Sequence, residues 1–131
     1  MSSYFSVPEA NAMLPRIAPI LEQVQEWRRE MALLRSRVDE ITPQPRRNGH
    51  ANKAAELLHD GRRLREFRDR INAAIEQVVG MGVEVKDLDT GLVDFPSMRE
   101  GREIYLCWRL GEQSVDHWHE VDAGFQGRHP L

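Results

Sequence analysis

Cysteine is almost absent: Cys107 stands alone, so no internal disulfide can staple the fold and stability must come from packing, as expected of a reducing compartment. Lysine is scarce too, two residues against sixteen arginines. No apolar run approaches the roughly 18 residues that a membrane-spanning helix needs. The opening Met1-Ser2-Ser3-Tyr4 has no basic segment followed by an apolar one, so the expectation is a soluble cytoplasmic protein with no membrane role. There is no glycine-rich phosphate loop, no nucleotide fingerprint, no EF-hand loop and no Cys-x-x-Cys pair, which removes the motif-bearing nucleotide, calcium and zinc-ribbon classes.

The 131 residues, 40% apolar and 30% charged, suit a single domain with a modest core. The net charge of −3 hides a polarity. Residues 28–70 hold twelve basic against seven acidic residues, and residues 71–131 hold five against eleven. Arginine codon usage accounts for the excess of Arg over Lys; an acidic partner or RNA meeting the basic stretch is the alternative.

Ser6-Val7-Pro8-Glu9 has the form of a capping box and starts a helix. Pro15 and Pro19 each remove a backbone donor, which predicts a separate short first helix or a bend, with regular helix from about Ile20. Met13, Ile17, Ile20, Val24, Trp27, Met31, Leu34, Val38 and Ile41 alternate steps of four and three, a heptad seam of coiled-coil type. Two prolines and Gly49 break it, and Leu57, Leu64, Ile71 and Val78 resume at sevens, supported by Leu58, Phe67, Ala74 and Ile75. Each run is about 33 Å long at a rise of roughly 1.5 Å per residue, so the two fit as an antiparallel hairpin. Asp60 and Gly61 interrupt the second seam, which predicts a loose or partner-dependent tip. Leu21 and Leu33 lie just off the first seam, to be covered by another element or a second copy, so a homo-oligomer is expected.

After Gly82 the apolar period changes to two. Residues 83–88, 92–95, 103–109 and 115–120 read as three to four short antiparallel strands, with turns at Asp89-Thr90-Gly91 and Glu100-Gly101 and an irregular tail from Asp122. The organisation is thus α+β in one domain, 1–131: a helical hairpin at about 6–81 and a β module at about 83–131. Its densest chemistry is Tyr105-Leu106-Cys107-Trp108-Arg109-Leu110-Gly111-Glu112 followed by Val115-Asp116-His117-Trp118-His119-Glu120. A three-residue loop at 111–113 pairs Cys107 with His117 and Tyr105 with His119, leaving Leu106, Trp108, Leu110 and Trp118 for the core face.

Tyr4-Phe5-Ser6, Ala10-Asn11-Ala12-Met13-Leu14-Pro15, Val85-Lys86-Asp87-Leu88-Asp89, Gly91-Leu92-Val93-Asp94-Phe95-Pro96, Leu106-Cys107-Trp108, Gly111-Glu112, Trp118-His119-Glu120, Gly124-Phe125 and Gly127-Arg128, in this order, resemble the prokaryotic domain of unknown function numbered 2203. The resemblance spans nearly the whole chain and implies a small bacterial protein; it brings no activity and no residue role.

Cys107, His117 and His119 form the candidate metal set, since thiolate and imidazole suit zinc and alternate strand positions share a face. Against this, a buried cysteine also serves as a small hydrophobe and imidazoles bond within polar sheets. Asp87, Asp89 and Asp94 flank a turn and are candidates for a hard cation or acid/base chemistry, although turn capping accounts for Asp89-Thr90-Gly91 more simply. With Tyr105, Arg109, Glu120, Phe125 and Arg128 they make up the recognition candidates, Phe125 either in an exposed docking tail or closing the core. A Cys107–His117 nucleophile lacks evident oxyanion donors. The expectation is a non-catalytic interaction protein, with the hairpin as partner or dimer surface and the sheet as a recognition face; the alternative is a metal-binding protein or metal-dependent enzyme. RNA association through the Arg-rich arm, which lacks interleaved aromatics, comes third.

Overall fold

The computed structural model describes residues 4–41 and 50–131, with side chains over 4–38 and 53–131. The expected break at residues 42–49 and the Ile41 side chain lie outside the described residues. Two helices, α1 (Val7–Ile41) and α2 (His50–Gly80), precede the strands β1 (Glu84–Asp87), β2 (Leu92–Arg99), β3 (Arg102–Arg109), β4 (His117–Glu120) and β5 (His129–Pro130). The helices pack against each other and the strands form one antiparallel sheet in chain order, so the architecture is α+β. The fifth strand lies in the tail that reads as irregular. Two residues are too few to show alternation, and Pro130, which cannot donate, is tolerated at a sheet edge.

The capping box forms in both directions: the Ser6 amide donates to Glu9 Oε1 at 2.8 Å and the Glu9 amide to Ser6 Oγ at 3.2 Å. From there α1 runs unbroken through Pro15 and Pro19, without the separate first helix expected. Both prolines are exposed and lie one turn apart on the same row. The backbone bonds to the carbonyls four residues earlier are lost at both prolines without ending the helix.

The chain forms two compact units, Met1–Gln25 with Ala74–Leu131, and Glu26–Ala73. In the first, Ile17 and Val78 are buried as the seam requires, while Ala10, Leu14 and Leu21 form a second buried stripe that the seam alone does not explain. Val93, Phe95, Ile104, Leu106 and Trp108 cover that stripe in one apolar cluster. Phe5 meets Phe95 edge to face at 5.4 Å. The β2–β3 turn puts Glu100 (φ 52°) and Gly101 (φ 80°) in the left-handed region, as a two-residue hairpin requires. At the β1–β2 turn Gly91 has φ 71°, and a Cβ there would stand 2.6 Å from Leu110 Cβ, so only glycine fits.

In the second unit Leu34, Phe67 and Ile71 are buried, whereas Leu33 and Leu58 are 74% and 68% exposed. Asp60, the residue that interrupts the apolar period of α2, is fully buried. Arg37 Nε lies 3.3 Å from one of its oxygens, yet neither oxygen accepts a hydrogen bond. A carboxylate in that state is costly, because the lost hydration is not replaced. Replacing it need not orphan a buried charge, since the Arg37 side chain is 53% exposed. Asp60→Leu is therefore expected to raise stability by about 1 kcal/mol in urea unfolding; a loss of that size would mean the ion pair is net favourable.

Candidate metal and ligand site

Strand alternation gives the sheet a second, polar face. Cys107 sits between Asp94 of β2 and His117 of β4, and Tyr105 between Pro96 and His119, so the β3–β4 register is the expected one. The connection is longer than three residues, because the ladder stops at Cys107 and His117. Other bonds hold the intervening chain. Trp108 Nε1 donates to the Glu112 carbonyl at 3.0 Å, the Arg109 amide to Glu112 Oε1 at 2.8 Å, and the Val115 amide to Asn11 Oδ1 of α1 at 2.7 Å.

Asp94, Cys107 and His119 are all buried, and one ligand atom from each lies within 4.8 Å of the other two. His119 Nε2 stands 3.0 Å from both carboxylate oxygens of Asp94. Its Nδ1 is 2.7 Å from the Glu120 carbonyl, which can only accept, so Nδ1 carries a proton and donates. A neutral imidazole then turns its Nε2 lone pair toward a carboxylate. The 3.0 Å separation is that of a shared proton; an ion bound by both groups would sit beside the N···O line, with the two atoms about 3.3 Å apart in tetrahedral coordination. Burial pushes the Asp94 pKa up, while the bond from His119 and the charges of His119 and Lys86 oppose the rise.

The Cys107 thiol is pushed up to about 12 from 9.0, by burial first and then by the Asp94 charge. Its neutral-pH thiolate fraction is thereby lowered about a thousandfold, so alkylation by iodoacetamide in folded protein is expected to be slower by that order than in urea. Comparable rates in the two states would place the thiol in solvent. The linkage has a definite sign: stability from the protonated thiol is complete below about pH 9 and is lost as pH rises toward 12.

The remaining candidates separate into other roles. His117 Nδ1 accepts from Arg128 at 2.8 Å, which fixes its proton on Nε2, and Arg128 also binds both Glu112 oxygens at 3.0 and 2.9 Å. Phe125 is half-buried over the polar face, with the guanidiniums of Arg109 and Arg128 at 5.2 and 4.6 Å from its ring; it neither closes the apolar core nor stands free as a docking residue. Glu120 is paired with Arg102, which holds its pKa below the usual carboxylate range. Asp87 caps its turn, accepting from the Asp89 amide at 3.1 Å and from Thr90 Oγ1 at 3.0 Å, and among the described residues no metal-ligating group includes Asp87 or Asp89. Three residues, Glu84, Lys86 and Glu112, were not singled out by sequence reasoning. Lys86 lies over the Tyr105 ring at 5.1 Å and donates to Glu84 at 2.8 Å, and Glu84 also accepts from Tyr105 Oη at 2.7 Å. Glu112 anchors Arg128; its position at the turn after β3 was the available signal.

A cavity of about 300 Å³ opens on this face, lined by Asp94 and His119 together with Lys86, Leu92, Tyr105, Phe125 and residues 121–124. A family model described as an uncharacterized conserved protein, DUF2203, matches residues 3–131. No curated protein and no solved structure matches. No helix among the described residues is long and apolar enough to cross a membrane.

Proposed function

We propose, for a chain that belongs to the uncharacterized DUF2203 family and whose chemistry must be read from its own residues, a metal-binding protein with Asp94, Cys107 and His119 as ligands. The observation that carries this reading is the buried convergence of one oxygen, one nitrogen and one sulfur ligand within 4.8 Å. Zinc and its cobalt(II) substitute accept that donor set, and tetrahedral coordination leaves a fourth position. The Nδ1–H bond of His119 to the Glu120 carbonyl is the outer-sphere support that metal-bound imidazoles use to aim Nε2. An ion there replaces the proton between His119 and Asp94 and takes Cys107 as thiolate despite its high intrinsic pKa.

The test is absorption spectroscopy of the untagged full-length protein with cobalt(II), alongside elemental analysis. A sulfur-to-cobalt charge-transfer band with intense visible bands is expected, and Cys107→Ser should remove the charge-transfer band. Folded wild-type protein that shows neither band overturns the reading.

A second reading, an interaction protein that uses the helical hairpin as its partner or dimer surface, is favoured by Leu33 and Leu58, both large and exposed on the second unit. Light scattering over a hundredfold concentration range tests it; a constant mass of 15.2 kDa excludes self-association.

A further inference from the structure

We infer that the metal centre is an open one and that its fourth position takes a small carboxylate ligand with an apolar body. The inference rests on the metal reading above. Closed structural sites supply four protein ligands, whereas here three converge among the described residues. Two of the three, Asp94 and His119, line the 300 Å³ cavity, so the buried centre borders a space of ligand size.

The lining sets the chemistry of the occupant. A divalent ion with one carboxylate, one thiolate and a neutral imidazole is electrically neutral, so a ligand anion meets no net repulsion from the centre. Lys86 is the cation on the cavity wall, held over the Tyr105 ring and donating one of its three N–H bonds to Glu84 at 2.8 Å, so a ligand oxygen would be its second anionic partner. Asp122, the other charged wall residue besides the ligand Asp94, is exposed to solvent, where its repulsion is screened. Leu92, Tyr105 and Phe125 supply apolar surface beyond the metal. Phe125 has the guanidiniums of Arg109 and Arg128 near its ring, which ties the wall to the folded sheet module. A carboxylate on the metal, with Lys86 beside it and an aromatic or aliphatic body against Phe125 and Leu92, satisfies all of these groups.

The experiment titrates the cobalt(II)-loaded full-length protein with acetate and then benzoate, following the visible cobalt bands while the thiolate charge-transfer band reports that the metal stays bound. Both anions are expected to shift the visible bands saturably, benzoate binding about tenfold more tightly because its ring buries apolar surface. Lys86→Met should weaken both about fivefold, with Lys86→Arg restoring affinity, and Phe125→Ala should bring benzoate close to acetate. Visible bands that neither anion moves, with the charge-transfer band intact, overturn the open centre and leave the metal reading standing. A shift that Lys86→Met does not weaken overturns the carboxylate assignment. Wild-type protein that gives no cobalt spectrum removes the metal reading and this inference together.

Discussion

Val24→Asp is expected to lose several kcal/mol of stability, enough to leave little folded protein at room temperature. Val24 is 1% exposed, at the position where the heptad period of α1 puts a seam residue. An aspartate there either buries a charge without hydration or takes up a proton at a cost of the same kind, and it also removes the valine methyls from the interior. Domains of this size have roughly 5–15 kcal/mol in total, so such a loss is most of what is available. Leu33→Asp is the matched control. That side chain is 74% exposed, and its substitution should stay within about 0.5 kcal/mol. Urea unfolding of the two variants beside the parent decides the matter; a Val24→Asp protein that melts like the parent would mean that the seam is not buried.

The same helix shows how far periodicity reaches. Its seam was legible because Ile17, Val24 and Leu34 follow one period and are buried. Leu21, just off the seam, is covered by another element as expected, whereas Ala10 and Leu14 were not assignable to the core, because a second buried stripe on α1 exists only where the sheet covers it, and periodicity carries no record of what lies opposite. The separate first helix expected from the prolines does not form, for a related reason. The cost of Pro15 and Pro19 depends on whether the carbonyls they leave unpaired face water, which is a property of the packed helix.

The polar face was half legible. The alternation of β3 and β4 put Cys107 beside His117 and Tyr105 beside His119, because the apolar residues of both strands had to share the other face. Asp94 was grouped instead with Asp87 and Asp89 by closeness in sequence. A two-residue turn at Glu100-Gly101 sets Asp94 directly across from Cys107, so the pairing followed from a turn already visible in the sequence. The diagonal reach of His119 to Asp94 was a different matter. It depends on side-chain rotamers and on the Glu120 carbonyl that orients the ring, and strand register specifies neither. The role of Arg128 was hidden in the same way, since Glu112 and His117 come to it only once the tail folds back as β5.

That difference between register and rotamer yields the sharpest expected contrast in the molecule. Zinc affinity should fall by more than about a hundredfold in Asp94→Asn, Cys107→Ser and His119→Ala, and by less than about tenfold in His117→Ala. The first three remove atoms that converge within 4.8 Å, whereas His117 Nδ1 is occupied by Arg128 at 2.8 Å, so its loss disturbs an outer contact. His59→Ala, exposed on α2, should match the wild type. Competition with a chromophoric chelator gives the constants, and far-ultraviolet circular dichroism shows that each variant is folded before its affinity is compared. The control matters most for His119→Ala, because cutting one member of a buried pair leaves the Asp94 carboxylate unpaired, a change that alone costs stability. Asp94→Asn and Cys107→Ser keep the size of the side chain and so separate lost coordination from lost packing. Equal losses in His117→Ala and His119→Ala would return the ion to Cys107, His117 and His119, with Arg128 swinging away from the imidazole. Equal affinities in all five proteins would make the zinc adventitious, and the Asp94–His119 pair would then hold a proton rather than a metal.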